Sequence, residues 1–202
     1  GIMIGYACRD NDEMVPQEYY LSRDLCRYVY EVFPYDGKTQ VTIDEDNNIV
    51  AVVCSFQNAT YDELHNLVYE WLEDKGVNPN SVTRYCNPAG DWEQGGFDAD
   101  AGLTGRKLVV DNYGPRVPIG GGAYSGKDPS KVDRSAAYMA RHIAVRELKR
   151  KKLKECYVYL SYAIGEKEPL QATCTDGYND WDLPSFYPVY PNEIIKHLNL
   201  RE

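Results

Sequence analysis

The residues that invite a chemical reading cluster between positions 98 and 134, where Arg106, Lys107, Lys127, Lys131 and Arg134 gather positive charge in a chain of net charge −9. Cations concentrated against an acidic background suit a polyanion held locally. Guanidinium groups fork onto phosphate oxygens, and lysines act as mobile point charges. The same stretch is dense in glycine (Gly102, Gly105, Gly114, Gly120, Gly121, Gly122, Gly126). Glycine lets a backbone approach a ligand closely and adds N–H donors for phosphate at turns and helix N-termini. The competing reading of the segment is an ordinary glycine-rich loop whose charges are solvated.

Three carboxylates accompany the cations, Asp36, Asp100 and Asp133. Each can hold magnesium, orient a lysine or bind a ligand ammonium. The alternative for each is a local cap or a surface ion pair. Residues 121–127 fit G-x-x-x-x-G-K, but Asp128 follows where a P-loop needs Ser or Thr for magnesium, and YGPRVPI before it is no clean strand, so the segment is not a Walker A motif. No serine stands in G-x-S-x-G, and the three histidines have no evident nucleophile to activate.

The bulk properties exclude several classes. A pI near 4.9 argues against a nucleic-acid surface, since phosphate backbones select for clustered Lys and Arg over a whole face. The six cysteines, at 8, 26, 54, 86, 156 and 174, never approach C-x-x-C spacing, which predicts reduced, mostly buried thiols and no zinc site. No run reaches the roughly 18 apolar residues of a membrane span, and no basic-then-apolar leader opens the sequence. The chain is expected to be cytoplasmic, with no membrane and no nucleic-acid partner.

The elements that position these groups follow from periodicity. Residues 17–33 carry Tyr20, Leu21, Leu25, Tyr28, Val29 and Val32 at helical spacing, and the turn at 34–37 ends that helix. Residues 38–43 alternate like a strand, 44–48 form a turn and 49–56 (IVAVVCSF) read as a central strand, giving a hairpin. A second helix spans 61–75, with Leu64, Leu67, Val68, Trp71 and Leu72 on one stripe, His65 on its surface and Gly76 as its left-handed cap. Leu108 to Val110 is expected to be a short strand. A third helix is expected to begin with Asp128 as N-cap and Pro129 in its first turn, with Val132, Ala136, Met139, Ala140 and Ile143 inward. A strand at 156–164 and a short helix at 191–200, with Ile194, Ile195 and Leu198 inward, complete the reading. The fold class is α+β, sheets with helices packed on one face. Its expected division is a unit at 1–100 and a second, bearing the glycine-rich loop, at 101–202.

Three runs in one order, DAGLTGRKLVVDNYG, GGGAYSGKDPSKVDRSAAYMAR and SYAIGEKEP, closely resemble the signature blocks of methionine adenosyltransferases (S-adenosylmethionine synthetases). GIMIGYA at the start and DGKTQV at 36–41 resemble weaker blocks in the same order, so the likeness spans essentially the whole chain. The resemblance implies a fold of two of three pseudo-repeated α+β units, with 1–100 of the central type and 101–202 of the C-terminal type. It implies synthesis of S-adenosylmethionine from ATP and L-methionine with release of phosphate and diphosphate, Mg2+ and K+ as cofactors, and a homodimer or an N-terminal partner chain.

Carried over by position, the resemblance makes Lys38, Arg106, Lys127 and Lys131 the catalytic cations. It makes Asp36, Lys38, Ser55, Trp92, Asp100, Arg106, Lys107, Ala123 and Lys127 the ATP contacts, with Trp92 stacking on adenine. Asp100 and Lys131 would meet methionine, and Asp133 would bind magnesium. Asp91 stands where the family has a basic residue, and Asn58 and Ile119 stand where it has histidines. A family segment bearing a catalytic histidine and a magnesium ligand has no counterpart in these residues. The isolated chain is therefore expected to be a fragment or half of a split enzyme, incomplete for catalysis, the alternative being a non-catalytic nucleotide-binding or assembly module.

Overall fold

The computed structural model describes residues 1–201. In chain order its elements are β1 (Ile2–Cys8), α1 (Gln17–Val32), β2 (Gly37–Ile43), β3 (Ile49–Phe56), α2 (Tyr61–Asp74), β4 (Thr83–Cys86), α3 (Leu108–Asp111), α4 (Val132–Lys151), β5 (Glu155–Ser161), β6 (Gln171–Thr175), β7 (Asp180–Asp182) and α5 (Pro191–His197). They form two compact units, one of residues 17–102 and one of residues 1–16 with 103–202.

In the unit at 17–102 the strand order is β2-β3-β4. β2 and β3 form the expected antiparallel hairpin, with Lys38 opposite Ser55. The Asp44 carboxylate closes its turn, accepting from the amides of Asp46 and Asn48, and Asn47 takes the left-handed conformation. β4, which the sequence reading missed, pairs parallel to β3 with α2 as the crossover. Both helices lie on the apolar face. Leu21, Leu25 and Val29 of α1 and Leu64, Val68, Trp71 and Leu72 of α2 bury against Val41, Val52, Cys54 and Phe56. Val32, expected inward, is 54% exposed because α1 ends there. Thr60 and Glu63 form a reciprocal capping box on α2, and Gly76 beyond the Lys75 cap has φ 72°. His65 is half-buried and stacks on Tyr61.

In the other unit the strand order is β1-β5-β6-β7, antiparallel throughout. The amphipathic α4 lies across one face. Met139, Ala140, Ile143, Ala144 and Leu148 pack onto Met3, Ala7, Cys156, Val158, Leu160 and Cys174. β5 alternates half-buried and buried along its length, as a strand covered on one face must. Gly5 is where helix and strand come closest: a Cβ there would lie 2.0 Å from the Ala140 carbonyl carbon. β1 pairs along its whole length with β5, so the first residues of the chain fold with its second half.

Two expectations fail locally. Leu108 to Val110 is not a strand but the start of the one-turn helix α3, since three apolar residues in a row carry no period that separates the two. The long helix begins at Val132 with Lys131 as its N-cap, not at Asp128. Asp128 instead accepts from the Ser130 amide, closing a turn of its own, so the Asp-Pro pair belongs to the loop. All six cysteines are free, five of them buried. Burial pushes the Cys54, Cys156 and Cys174 thiols up to about 12, which leaves them inert at neutral pH.

Candidate functional site

The sequence-derived site residues divide between the two units. In the unit at 17–102 the register of the hairpin sets Lys38 opposite Ser55 on the sheet face away from the helices. Lys38 is exposed and Ser55 half-buried. After β4 the chain turns at Asn87, whose N–H donates to the Cys54 carbonyl and whose carbonyl accepts from Gly90. That turn brings Trp92 back to Ser55, and the indole N–H lies 3.2 Å from the Ser55 hydroxyl and 3.3 Å from Asn87 Oδ1. The Ser55 hydroxyl in turn donates to Asn87 Oδ1 at 3.0 Å. Aromatic face, hydroxyl and ammonium thus come from one end of the sheet and the loop folded onto it.

Asp36 is tied to the following loop. Its carboxylate accepts from the Gly96 N–H at 3.0 Å, its N–H donates to Gln57 Oε1, and Gln57 reaches on to the Glu93 carbonyl. Asp100 lies further along, where its carboxylate accepts from the Gly102 N–H in a local turn. Of the departures from the family pattern, Asn58 has φ 61°, a conformation asparagine tolerates better than most residues, and its N–H donates to the Trp92 carbonyl. Asp91 accepts from Asn87 Nδ2 at 3.3 Å.

The glycine-rich segment of the other unit carries the remaining residues. Arg106 and Lys107 are exposed immediately ahead of α3. With Leu108, Val109, Val110 and Ile119 they line an open cavity of 380 Å³. Gly105, at φ 80°, sits against Ala123, and Gly126, at φ 78°, against Thr104, so the two arms of the segment lie side by side. Gly120 touches the Ile2 carbonyl so closely that no Cβ would fit. Gly122 abuts the Asp133 carboxylate, which a Cβ would meet at 2.5 Å.

Lys127 and Asp133 are brought together more tightly than the sequence reading anticipated. Lys127 Nζ and Asp133 Oδ2 form an ion pair at 2.5 Å, with side chains 35% and 30% exposed. The ammonium assigned to triphosphate and the carboxylate assigned to magnesium thus neutralise one another. A pair this exposed is worth about 0.2–1 kcal/mol, less than one charge-assisted bond to phosphate, so a polyanion can open it. Arg134 turns elsewhere, donating to the Lys127 carbonyl and to the Tyr138 hydroxyl, which makes it a brace for the loop. Lys131, exposed at the N-terminal end of α4, adds charge where the helix dipole also favours an anion.

Among the described residues no group of three or more His, Cys, Asp or Glu side chains could hold a metal ion. Asp133 presents a hard oxygen donor beside the glycine-rich loop. One carboxylate completed by phosphate oxygens is the way Mg2+ is commonly bound, so the donor set fits that ion as a partner of bound polyphosphate. The geometry singles out no donor set for K+.

The residue the sequence reading missed is Asn87. The Asn-Pro dipeptide at 87–88 was its only sequence signal, marking a turn but not the polar bonds made there.

The comparisons with known proteins converge. The profile of the S-adenosylmethionine synthetase central domain matches residues 1–92, and that of the C-terminal domain of the same enzymes matches residues 94–202. The S-adenosylmethionine synthase of Parvibaculum lavamentivorans is 40% identical, over 86% of this chain and 49% of that protein. That of Petrotoga mobilis is 39% identical, over 99% of this chain and 57% of the relative. The solved structure of an unusual S-adenosylmethionine synthetase from Campylobacter jejuni superposes with a TM-score of 0.84 at 33% identity, over 99% of this chain and 61% of the other. The chain therefore spans about half to three-fifths of the length of the proteins it matches.

Proposed function

The chain belongs to the S-adenosylmethionine synthetase family, and from that premise we propose that it supplies the nucleoside-positioning and triphosphate-gripping groups for making S-adenosylmethionine from ATP and L-methionine. The observation that carries the reading is the segregation of chemistry. An indole, a hydroxyl and an ammonium gather on one unit, and a glycine-lined loop bearing Arg106, Lys107, Lys127 and Lys131 forms on the other.

The reaction forms a bond between the methionine sulfur and ribose C5′ and breaks the C5′–oxygen bond, so that a sulfonium and the whole triphosphate result. Water then cleaves the triphosphate to phosphate and diphosphate. No side chain need act as a nucleophile. The protein's part is to align sulfur and carbon and to stabilise a leaving group of about four negative charges, which is catalysis by orientation and preorganised electrostatics.

In this scheme Trp92 offers its face to adenine and Ser55 its hydroxyl to the nucleoside, with Asp36 beside them, and the backbone at Ala123 is a further ATP contact. Lys38 stands near the reacting carbon, and Arg106 and Lys107 grip the triphosphate. Lys127 leaves Asp133 to join them. Asp100 and Lys131 receive the ammonium and carboxylate of methionine. Mg2+, when bound with the nucleotide, would be held by Asp133 and phosphate oxygens and would supply further charge neutralisation. We propose further that the chain acts in the cytoplasm and in company with a second chain. No helix among the described residues is long and apolar enough to cross a membrane.

The test is S-adenosylmethionine formation by the chain alone and by the chain mixed with the part of a relative that it does not span. Product that depends on this chain and falls with Lys127→Ala supports the proposal. Failure of magnesium–ATP to bind even in the mixed sample would overturn it.

A further inference from the structure

We propose that Asn87 is a positioning residue for the nucleoside side of the site, its side-chain amide fixing the Trp92 indole and the Ser55 hydroxyl in the orientation that receives the base. Asn87 is 5% exposed, and at φ 39° it lies on the left-handed side of the map, where asparagine is one of the few side chains accommodated readily. Its Oδ1 accepts from the Ser55 hydroxyl at 3.0 Å, the Phe56 N–H at 3.1 Å and the Trp92 indole N–H at 3.3 Å. Its Nδ2 donates to the Ala59 carbonyl at 2.8 Å, with the Phe56 carbonyl and Asp91 Oδ1 at 3.4 and 3.3 Å. One buried amide therefore joins the end of β3, the start of α2 and the loop that carries the aromatic.

Both ends of this amide carry more partners than a turn-forming asparagine needs. An amide that only shaped the turn would be satisfied by backbone groups, which here are Phe56 and Ala59. The two additional donors to its oxygen are the side chains assigned to the nucleoside. The indole N–H is shared between Ser55 and Asn87, so the plane of the ring is held from two directions. A ring held before the ligand arrives loses less freedom on binding it. Asp91, though exposed, is drawn into the same network through Nδ2, so the residue that departs from the family's basic pattern accepts from the asparagine.

The inference rests on the nucleoside assignment above, and the experiment separates the two. Binding of adenosine and of inorganic tripolyphosphate is measured calorimetrically for the whole chain and its variants. Asn87→Gly, compatible with the backbone conformation, should weaken adenosine roughly fivefold, the effect of one neutral hydrogen bond, and leave tripolyphosphate within about twofold. Equal losses for both ligands would reduce Asn87 to a structural residue and overturn the proposal. If Asn87→Gly does not fold, placing benzothienylalanine at Trp92 keeps the fused ring and deletes only the indole N–H; weaker adenosine binding supports the proposal and unchanged binding overturns it. Trp92→Ala reports on the assignment itself. Adenosine binding untouched by it removes the nucleoside reading and this inference together, whereas loss there with no effect of Asn87→Gly removes this inference alone.

Discussion

Lys127→Ala should separate the two halves of the substrate. In the unliganded chain Lys127 is paired with Asp133 at 2.5 Å, and the side chains are 35% and 30% exposed, so the pair contributes about 0.2–1 kcal/mol. A charge-assisted hydrogen bond to phosphate is worth about 1.5–3 kcal/mol, and binding must give up the ion pair first. The difference leaves roughly 0.5–2.8 kcal/mol of net gain from Lys127, so tripolyphosphate should bind about 2- to 100-fold more weakly to the variant. Adenosine should change less than about twofold, and the fold should survive, since losing a pair this exposed costs at most about 1 kcal/mol. Calorimetric titration in metal-free, low-salt buffer reads both affinities. The companion variant Asp133→Asn releases the lysine and removes a repulsive charge, so it should tighten tripolyphosphate in the same buffer. Equal losses of adenosine and tripolyphosphate with Lys127→Ala, or no loss of either, would refute the reasoning.

Two further predictions concern the unit that holds the glycine-rich loop. Glu147 is fully buried in α4. Burial alone would raise its pKa, but the fork of hydrogen bonds from Arg150 at 2.9 and 2.6 Å and the Tyr187 hydroxyl at 3.0 Å outweigh it and hold the carboxyl below its ordinary value. A lowered folded value means stability that is present above about pH 4.3 and is lost as pH falls through the folded value. Glu147→Gln should therefore cost roughly 1–3 kcal/mol at neutral pH and flatten the acid limb of a melting-temperature profile; an unchanged acid limb would contradict this. Gly5→Ala should destabilise by about 3 kcal/mol in urea unfolding, because a Cβ 2.0 Å from the Ala140 carbonyl carbon must push α4 away. A loss under about 1 kcal/mol would show that helix and strand do not approach so closely.

What the sequence disclosed and what it concealed have physical reasons. The helices α1 and α2 and the β2–β3 hairpin were legible almost to the residue, because each buries one face and so writes a period of 3.6 or 2 into its apolar residues. β1 left no such mark. Six of its seven residues are buried, so no alternation survives, and its partner β5 lies more than a hundred residues away. β4 is only four residues long and is defined by its parallel neighbour, not by its own composition. Asp128 and Pro129 carry the residue types of a helix start, yet the turn closed by Ser130 uses them first.

At the site, residue types and charge pointed to Arg106, Lys107, Lys127 and Lys131. The Lys127–Asp133 pair and the Arg134 brace were not legible, since nothing in spacing says which cation a carboxylate will choose. Asn87 was invisible for a similar reason: it joins Trp92, five residues on, to Ser55, Phe56 and Ala59, which stand 28 to 32 residues earlier in the chain.

The most direct measurement is the formation of S-adenosylmethionine from ATP and L-methionine, followed by chromatography, for the chain by itself and with the remaining part of a relative supplied. The account predicts a sulfonium product that requires this chain and drops sharply with Lys127→Ala and Trp92→Ala. A complemented sample that binds no magnesium–ATP, or product formation indifferent to both substitutions, would contradict it.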